Sequence, residues 1–543
     1  MLSYDHGASE LRLVGQSLGA VFRATTRVHP DRDALVDGNQ QLRYTYRELD
    51  EASDELGRAL MAGGLQRGDR LAVWSPNRAE WVVTQLAAAK TGLILVPVNP
   101  AFRVTEASYL LRHSGVRAAL AAPSFRALNY EKALAEARVA APDLEWAAFY
   151  DTPSFRELLD RAGEIDAAEL HERGAEVDSD DPVAIVYTSG TRERPVGATL
   201  THHNVVNNGS FVGALIRYTE VDRVCVPVPL FHCFGMVGCN VAAFTHGSAI
   251  ILPGPSFDPA EVLASVEQER CTSLIGVPAM FLAELAYPDL EGRDVSSLRT
   301  GLMGGALCPP DLVRRVRTDL DIPELAIGFG MTESSPVSAQ TRLDDDEEIR
   351  TTTVGRAHPH VELKIVDLHG RTVERGVEGE LCARGYCVMR GYWNDPAHTA
   401  ETVDESGWLR SGDLATMDEA GNVQITGRIK DVIIRGGENV SAREVEHLLF
   451  GHPDIEEAHV VGVPDPGLGE EVLAWVRPRP GATLTVEQVR LYCLQRLARF
   501  KVPKYIRFAD SFPLTVDGKT EKSRLREQAI AEMQLGEERA GPR

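Results

Sequence analysis

The sequence predicts an α/β protein with a large N-terminal domain of helix-covered sheets and a small α+β C-terminal domain. Three observations carry that prediction. From about residue 30 to 430, short apolar runs alternate with segments whose apolar residues recur at helical spacing, the rhythm of parallel strands covered by helices. The last hundred or so residues change to closely spaced strands with two amphipathic helices. A chain of 543 residues also exceeds what one ordinary core accommodates.

Taken in order, RLAVWS (70–75), LILVPV (93–98), AALAAP (118–123) and AIVYTS (184–189) read as buried strands. Between them, YRELDEASDELGRALMAGGL has helical spacing and stops at glycine, a common helix terminus. The pattern returns in SAIILPG (248–254) and in EVLASVEQERCTSLIGVP (261–278). The run DDDEE at 344–348 reads as a solvated surface loop. In NVQITGRIKDVIIRGGENV two strands meet around Gly427–Asp431, which places a domain boundary between residues 428 and 429. Ser441 with Glu444, and Thr485 with Gln488, have capping-box spacing ahead of helices. AHVVGVP and EVLAWVRP supply further strands, and the polar tail after about Leu535 reads as disordered.

Composition narrows the function classes. With 57 basic against 79 acidic residues the net charge is −22, which argues against nonspecific binding to nucleic acid or an anionic membrane. The start MLSYDHGASELRLVG lacks a secretory pattern, and no apolar run reaches membrane-spanning length. The eight cysteines form no CxxC pair, so they read as buried reduced thiols of a cytoplasmic protein.

The chemistry concentrates in five segments. YTSGTRERPVGATLTHHN (187–204) opens as a phosphate-binding turn after a strand, with hydroxyls and a glycine at Thr188, Ser189, Gly190 and Thr191. It lacks the lysine of a Walker loop and runs into GATLTHHN, whose alternation predicts another strand before any helix. Alone, such a cluster is usually a turn. PLFHCFG (229–235) carries His232. GFGMTESSP (328–336) carries Phe329, Gly330, Thr332 and Glu333. SGDLATMDEAGNVQITGRIKDVIIRGGENV (411–440) carries Asp413, Arg428, Lys430 and Asp431. FPLTVDGKTEKSRLRE (512–527) carries Lys519.

In this order, and over nearly the whole chain, these segments resemble the adenylate-forming superfamily of acyl-CoA synthetases, nonribosomal-peptide adenylation domains and luciferases. GELCARGYCVMRGYWNDP, KVPKYIRF, FGMTESSPVS and the early SYDHG resemble its medium-chain fatty acyl-CoA ligase branch. The resemblance implies an ATP-dependent acid–thiol ligase. A carboxylate attacks the α-phosphate of ATP, pyrophosphate leaves, and the thiol of coenzyme A then displaces AMP. That first step gathers negative charge, so it needs cations and oriented donors.

The resemblance also implies roles. Lys519 reaches the carboxylate and α-phosphate; without the resemblance it would read as a surface lysine. Glu333 holds Mg²⁺, since a hard cation takes carboxylate oxygen, and Thr332 donates to the α-phosphate. Phe329 stacks on adenine or simply packs in the core. Asp413 accepts from the ribose hydroxyls with Arg428 beside it. Gly304, Gly305 and Ala306 of LMGGALC let the nucleotide approach the backbone. His232 orients or gates the substrate, or is a packed histidine; the two readings weigh equally. Lys430 or Asp431 forms the hinge of a swinging small domain, and Gly436 and Gly437 border the pantetheine channel or form a plain turn.

One segment departs from the family pattern TSGTTG-x-PKG. Arg192, Glu193 and Val196 stand where the second threonine, the middle glycine and the lysine belong. Arg192 and Arg194 with Glu193 restore a sum of +1, so an arginine from a shifted position is expected at the β- and γ-phosphates. The same departure leaves open a specialised adenylating enzyme that loads a carrier protein, forms an amide or activates nitrite. A non-catalytic nucleotide-binding protein is opposed by the joint presence of Glu333, Asp413, Arg428 and Lys519. The acid, the chain length and the oligomeric state, a homodimer included, are not fixed by sequence.

Overall fold

The computed structural model describes residues 1–188, 195–306, 308–435, 438–465, 467–515 and 519–533. The expectations for Ser189, Gly190, Thr191, Arg192, Gly436, Gly437 and the tail after Leu535 therefore lie outside the described residues.

Two large sheets form the body. The first has seven strands in the order Gly391–Tyr392, Val196–Thr201, Pro182–Thr188, Ile94–Val98, Arg70–Trp74, Val116–Ala121 and Trp146–Phe149. Its last five run parallel, and the first two close one edge antiparallel. The second has nine strands, with a parallel centre that includes Arg223–Cys225, Ser273–Gly276, Thr300–Gly304 and Glu324–Gly330. One continuous apolar core joins the two sheets through the helices between them. The helix Ala79–Thr91 shows why: AEWVVTQLAAAKT carries no sustained polar face, and all but Glu80 is buried. A helix apolar on most sides has to be enclosed. Its one lysine, Lys90, is matched by Asp50 at 2.5 Å and Asp54 at 2.7 Å.

The expected strand after the phosphate loop is present as Val196–Thr201, followed by the helix His202–Leu215. Three expectations need correction. Residues 355 to 428 leave the strand–helix rhythm and supply four strands of a five-stranded antiparallel sheet, whose edge strand Tyr4–His6 pairs with Val361–Val366. The acidic run is no simple loop: Asp346 caps the helix Glu347–Thr352, and Asp345 pairs with Arg356 at 2.7 Å. Ser441 accepts the Glu444 amide as predicted, but among the described residues the reciprocal half of that capping box is not formed, whereas Thr485 and Gln488 form both halves.

The C-terminal strands Val432–Arg435, Glu438–Ser441, Ile455–Asp465, Gly469–Pro478 and Tyr505–Phe508 form a separate sheet. Its two faces carry apolar clusters, one against the helices Ala442–Phe450 and Val486–Leu494, the other against Lys522–Met533. Among the described residues, no helix is long and apolar enough to cross a membrane.

Candidate active site

The site gathers at the carboxyl ends of parallel strands in the nine-stranded sheet, where loops are free to diverge. Thr300–Gly304 delivers Gly304, Gly305 and Ala306; Glu324–Gly330 delivers Phe329, Gly330 and the short 3₁₀ turn Thr332–Ser334. Close backbone approach explains two of these glycines. A Cβ on Gly330 would fall 1.8 Å from the Pro336 carbonyl oxygen, and one on Gly304 would fall 2.7 Å from that of Gly328. Gly305 has φ +81, a conformation that glycine adopts without strain.

Thr332 and Glu333 are both buried. Glu333 Oε1 accepts from the hydroxyl of Tyr392 at 2.8 Å, and its backbone oxygen accepts from the Met389 amide at 2.9 Å. Tyr392 lies on the edge strand of the seven-stranded sheet, opposite Ala198, and stacks on His398 at 4.3 Å. Glu333 is therefore gripped by an element of the other large sheet. Beneath it, the Cys233 thiol donates to Thr332 Oγ1 at 3.5 Å. Burial pushes that thiol up to about 12 against the Thr332 bond and the positive charge of Lys519, with Glu333 adding to the rise. His232 is half-buried, and its Nδ1 accepts from the Phe234 amide at 3.2 Å.

Asp413 and Arg428 face each other in the antiparallel ladder, and the guanidinium Nε donates to Asp413 Oδ1 at 2.8 Å. Asp413 is 4% exposed whereas the Arg428 side chain is half exposed, so the pair opens to one side. Phe329 is partly buried against the apolar cluster of the antiparallel sheet, so packing accounts for at least part of its ring. Lys430 and Asp431 form the 3₁₀ turn between the last strand of that sheet and the small sheet. Asp431 stands 3.8 Å from Lys522 of the small domain.

Lys519 comes from the small domain, yet a Cβ built on Gly305 would stand 3.4 Å from its Cε and 3.9 Å from its Nζ. Its backbone amide donates to Thr515 Oγ1 at 3.0 Å. The structure thus brings Gly305, Thr332, Glu333 and Lys519 together around Cys233, with Asp413 and Arg428 on the adjoining antiparallel sheet. At the phosphate loop, Thr188 Oγ1 is buried without a hydrogen-bond partner among the described residues. Val196, opposite Thr188 in the ladder, is buried in the main core and brings no charge.

An anionic, hydroxyl-bearing ligand fits these groups. The orphaned Thr188 hydroxyl is a donor; the Asp413 carboxylate is an acceptor for neighbouring hydroxyls; Lys519 is a cation. Among the described residues no cluster of three or more acidic, histidine or cysteine side chains could hold a metal ion by itself. Glu333 alone suits a hard divalent cation that takes its remaining ligands from phosphates and water. Sequence reasoning missed Tyr392, although the segment GYWNDP was in view.

Known proteins resemble this chain over nearly its whole length. Residues 22–393 match the family model described as AMP-binding enzyme, and residues 444–519 match that of the AMP-binding enzyme C-terminal domain. The chain is 41% identical to YngI of Bacillus subtilis over 95% of its own length and 98% of that protein. It is 40% identical to the mitochondrial medium-chain acyl-CoA ligase ACSF2 of Danio rerio, covering 98% of this chain and 91% of the relative. Among solved structures, ATP-bound MatB from Rhodopseudomonas palustris superposes with a TM-score of 0.85 at 29% identity, covering 95% and 99% of the two chains.

Proposed function

Since the chain belongs to the AMP-binding enzyme family, we propose that it is an AMP-forming acyl-CoA ligase that activates a medium- or long-chain fatty acid with ATP. The observation that carries this reading is Lys519 of the small domain standing against Gly305, beside Thr332 and Glu333. A lysine ammonium there offsets the charge that builds when an acid oxygen bonds to the α-phosphorus and the bond to pyrophosphate breaks. Asp413 accepts from the ribose hydroxyls and so fixes the nucleotide. Thr332 and Thr188 donate to phosphate oxygens. Glu333 would hold Mg²⁺, which supplies further charge neutralisation at the phosphates. In the second step the thiolate of coenzyme A attacks the acyl carbon and AMP leaves. For that step the small domain turns about Lys430–Asp431 and withdraws Lys519; this hinge and the boundary at residues 428 and 429 are part of the proposal. His232 borders the acyl side.

Acids of graded chain length, assayed for AMP release with and without coenzyme A, test the reading. A medium- or long-chain acid should give CoA-dependent AMP and an acyl-CoA product. AMP formation coupled only to a carrier protein or an amine would replace the acceptor, and no AMP from any acid would end the enzyme reading.

A further inference from the structure

Arg443 is the second residue of the helix Ala442–Phe450 in the small domain. It is half-buried, within electrostatic reach of Cys308, Asp413, Glu446 and Arg428, and makes no hydrogen bond or ion pair among the described residues. Its guanidinium is only partly withdrawn from water and none of its nitrogens is sealed off, so its donors stay open to an anionic ligand, and the nearby carboxylates do not take them up. Asp413 is engaged by Arg428 at 2.8 Å. Glu446 is engaged by Lys522 at 2.8 Å and by the Val460 amide at 2.7 Å. Arg443 is therefore a cation left over at the cleft between the domains.

Its placement is specific. Ser441, which caps the helix, donates from Oγ to the Thr426 carbonyl at 2.7 Å. Thr426 lies in the strand Val423–Arg428, two residues before Arg428. The first turn of the helix is thus tied to the large domain beside the Asp413–Arg428 pair, and it brings Arg443 there in the same docked arrangement that sets Lys519 against Gly305.

We propose that Arg443 is a nucleotide-binding residue delivered by the small domain, its guanidinium taking a phosphate oxygen of the adenine nucleotide held at Asp413. This rests on the adenylation reading above. Guanidinium donors form strong charge-assisted bonds to phosphate, and Val196 brings no charge to the phosphate loop. Nucleotide binding and domain docking then reinforce each other, because part of the phosphate charge is met only when the small domain is seated.

The test is equilibrium binding of ATP to the full chain by titration calorimetry, alongside the two half-reactions. Arg443→Ala is expected to weaken ATP binding by about tenfold or more. Arg443→Lys should recover part of the loss, and acyl-CoA formation from preformed acyl-adenylate should be unchanged. Unaltered ATP affinity in Arg443→Ala overturns the assignment. So does an equal loss in both half-reactions, which marks a residue that only supports the fold. ATP binding by the wild type without pyrophosphate exchange for any acid would remove the adenylation reading, while the binding comparison still decides the role of Arg443.

Discussion

The two halves of the nucleotide site are built on opposite principles. The large domain presents carboxylates, Glu333 and Asp413, buried and each held by a partner: Tyr392 for one, Arg428 for the other. The small domain presents cations, Lys519 and Arg443, which arrive by docking. The rigid half is suited to what must be positioned, the ribose hydroxyls and a metal ion. In the mechanism proposed above, the small domain carries charge that is needed for one step and withdrawn for the next. Glu333 and Asp413 are compensated by their partners without a ligand, whereas Arg443 has no ion pair among the described residues, so the charge awaiting phosphate lies in the small domain.

The sharpest way to break this comparison is Lys519→Ala. Removing a preorganised charge contact typically lowers a rate by about 10²–10³-fold, and here the loss should fall on adenylation alone. Pyrophosphate exchange should drop by that order while acyl-CoA formation from preformed acyl-adenylate stays near wild type. Equal losses in both reactions would mean that Lys519 does not leave the site between steps.

A carboxylate of the same large domain that lacks a partner provides the contrast. Glu284 is 1% exposed, and neither carboxyl oxygen has a hydrogen-bond partner among the described residues. Burial raises its pKa from 4.5 to about 8. The unfolded chain loses this proton near the ordinary value and the folded chain keeps it until about pH 8. Its contribution to stability is therefore undiminished below about pH 4.5, declines as pH rises toward 8, and is flat above that. Glu284→Met should abolish that decline and be more stable at pH 8 by about 1–3 kcal/mol, the penalty of an unsatisfied buried polar group. Denaturant unfolding at pH 5 and pH 8 reads both. A variant less stable at both values would show that the carboxyl has a partner after all.

How much of this was legible in the sequence follows from distance along the chain. The strands 70–75 and 93–98 announce themselves locally, and Lys519, Glu333 and Asp413 sit in segments whose resemblance is carried by neighbouring residues. The antiparallel sheet was not legible, because Tyr4 finds its ladder partner at Lys364, and nothing within either strand encodes that pairing. The acidic run misled for a different reason: charge density hid the capping chemistry of Asp346. Arg443 reads locally as one more surface charge of an amphipathic helix; only the docking of Ser441 on Thr426 turns it toward the cleft.

Tyr392 tests the idea that the large domain's carboxylates are held in advance. Its hydroxyl reaches Glu333 across 59 residues of sequence, from a strand whose place depends on pairing with Val196–Thr201. Burial, the charge of Glu333 and the bond to it all raise the tyrosine's pKa, so it stays a donor throughout the physiological range. Tyr392→Phe keeps the ring and its stacking on His398 but releases Glu333 Oε1. Loss of a hydrogen bond that orients a metal-binding carboxylate typically weakens metal affinity by about 10–100-fold, and the lower end is expected here because the Met389 amide still holds the Glu333 backbone. The Mg²⁺ concentration for half-maximal pyrophosphate exchange should rise about tenfold. Mn²⁺ binding to the ATP complex, followed by electron paramagnetic resonance, should weaken in parallel, with the rate at saturating metal little changed. A fall in the saturated rate with unchanged metal affinity would instead assign Tyr392 to packing and leave Glu333 positioned by its backbone alone.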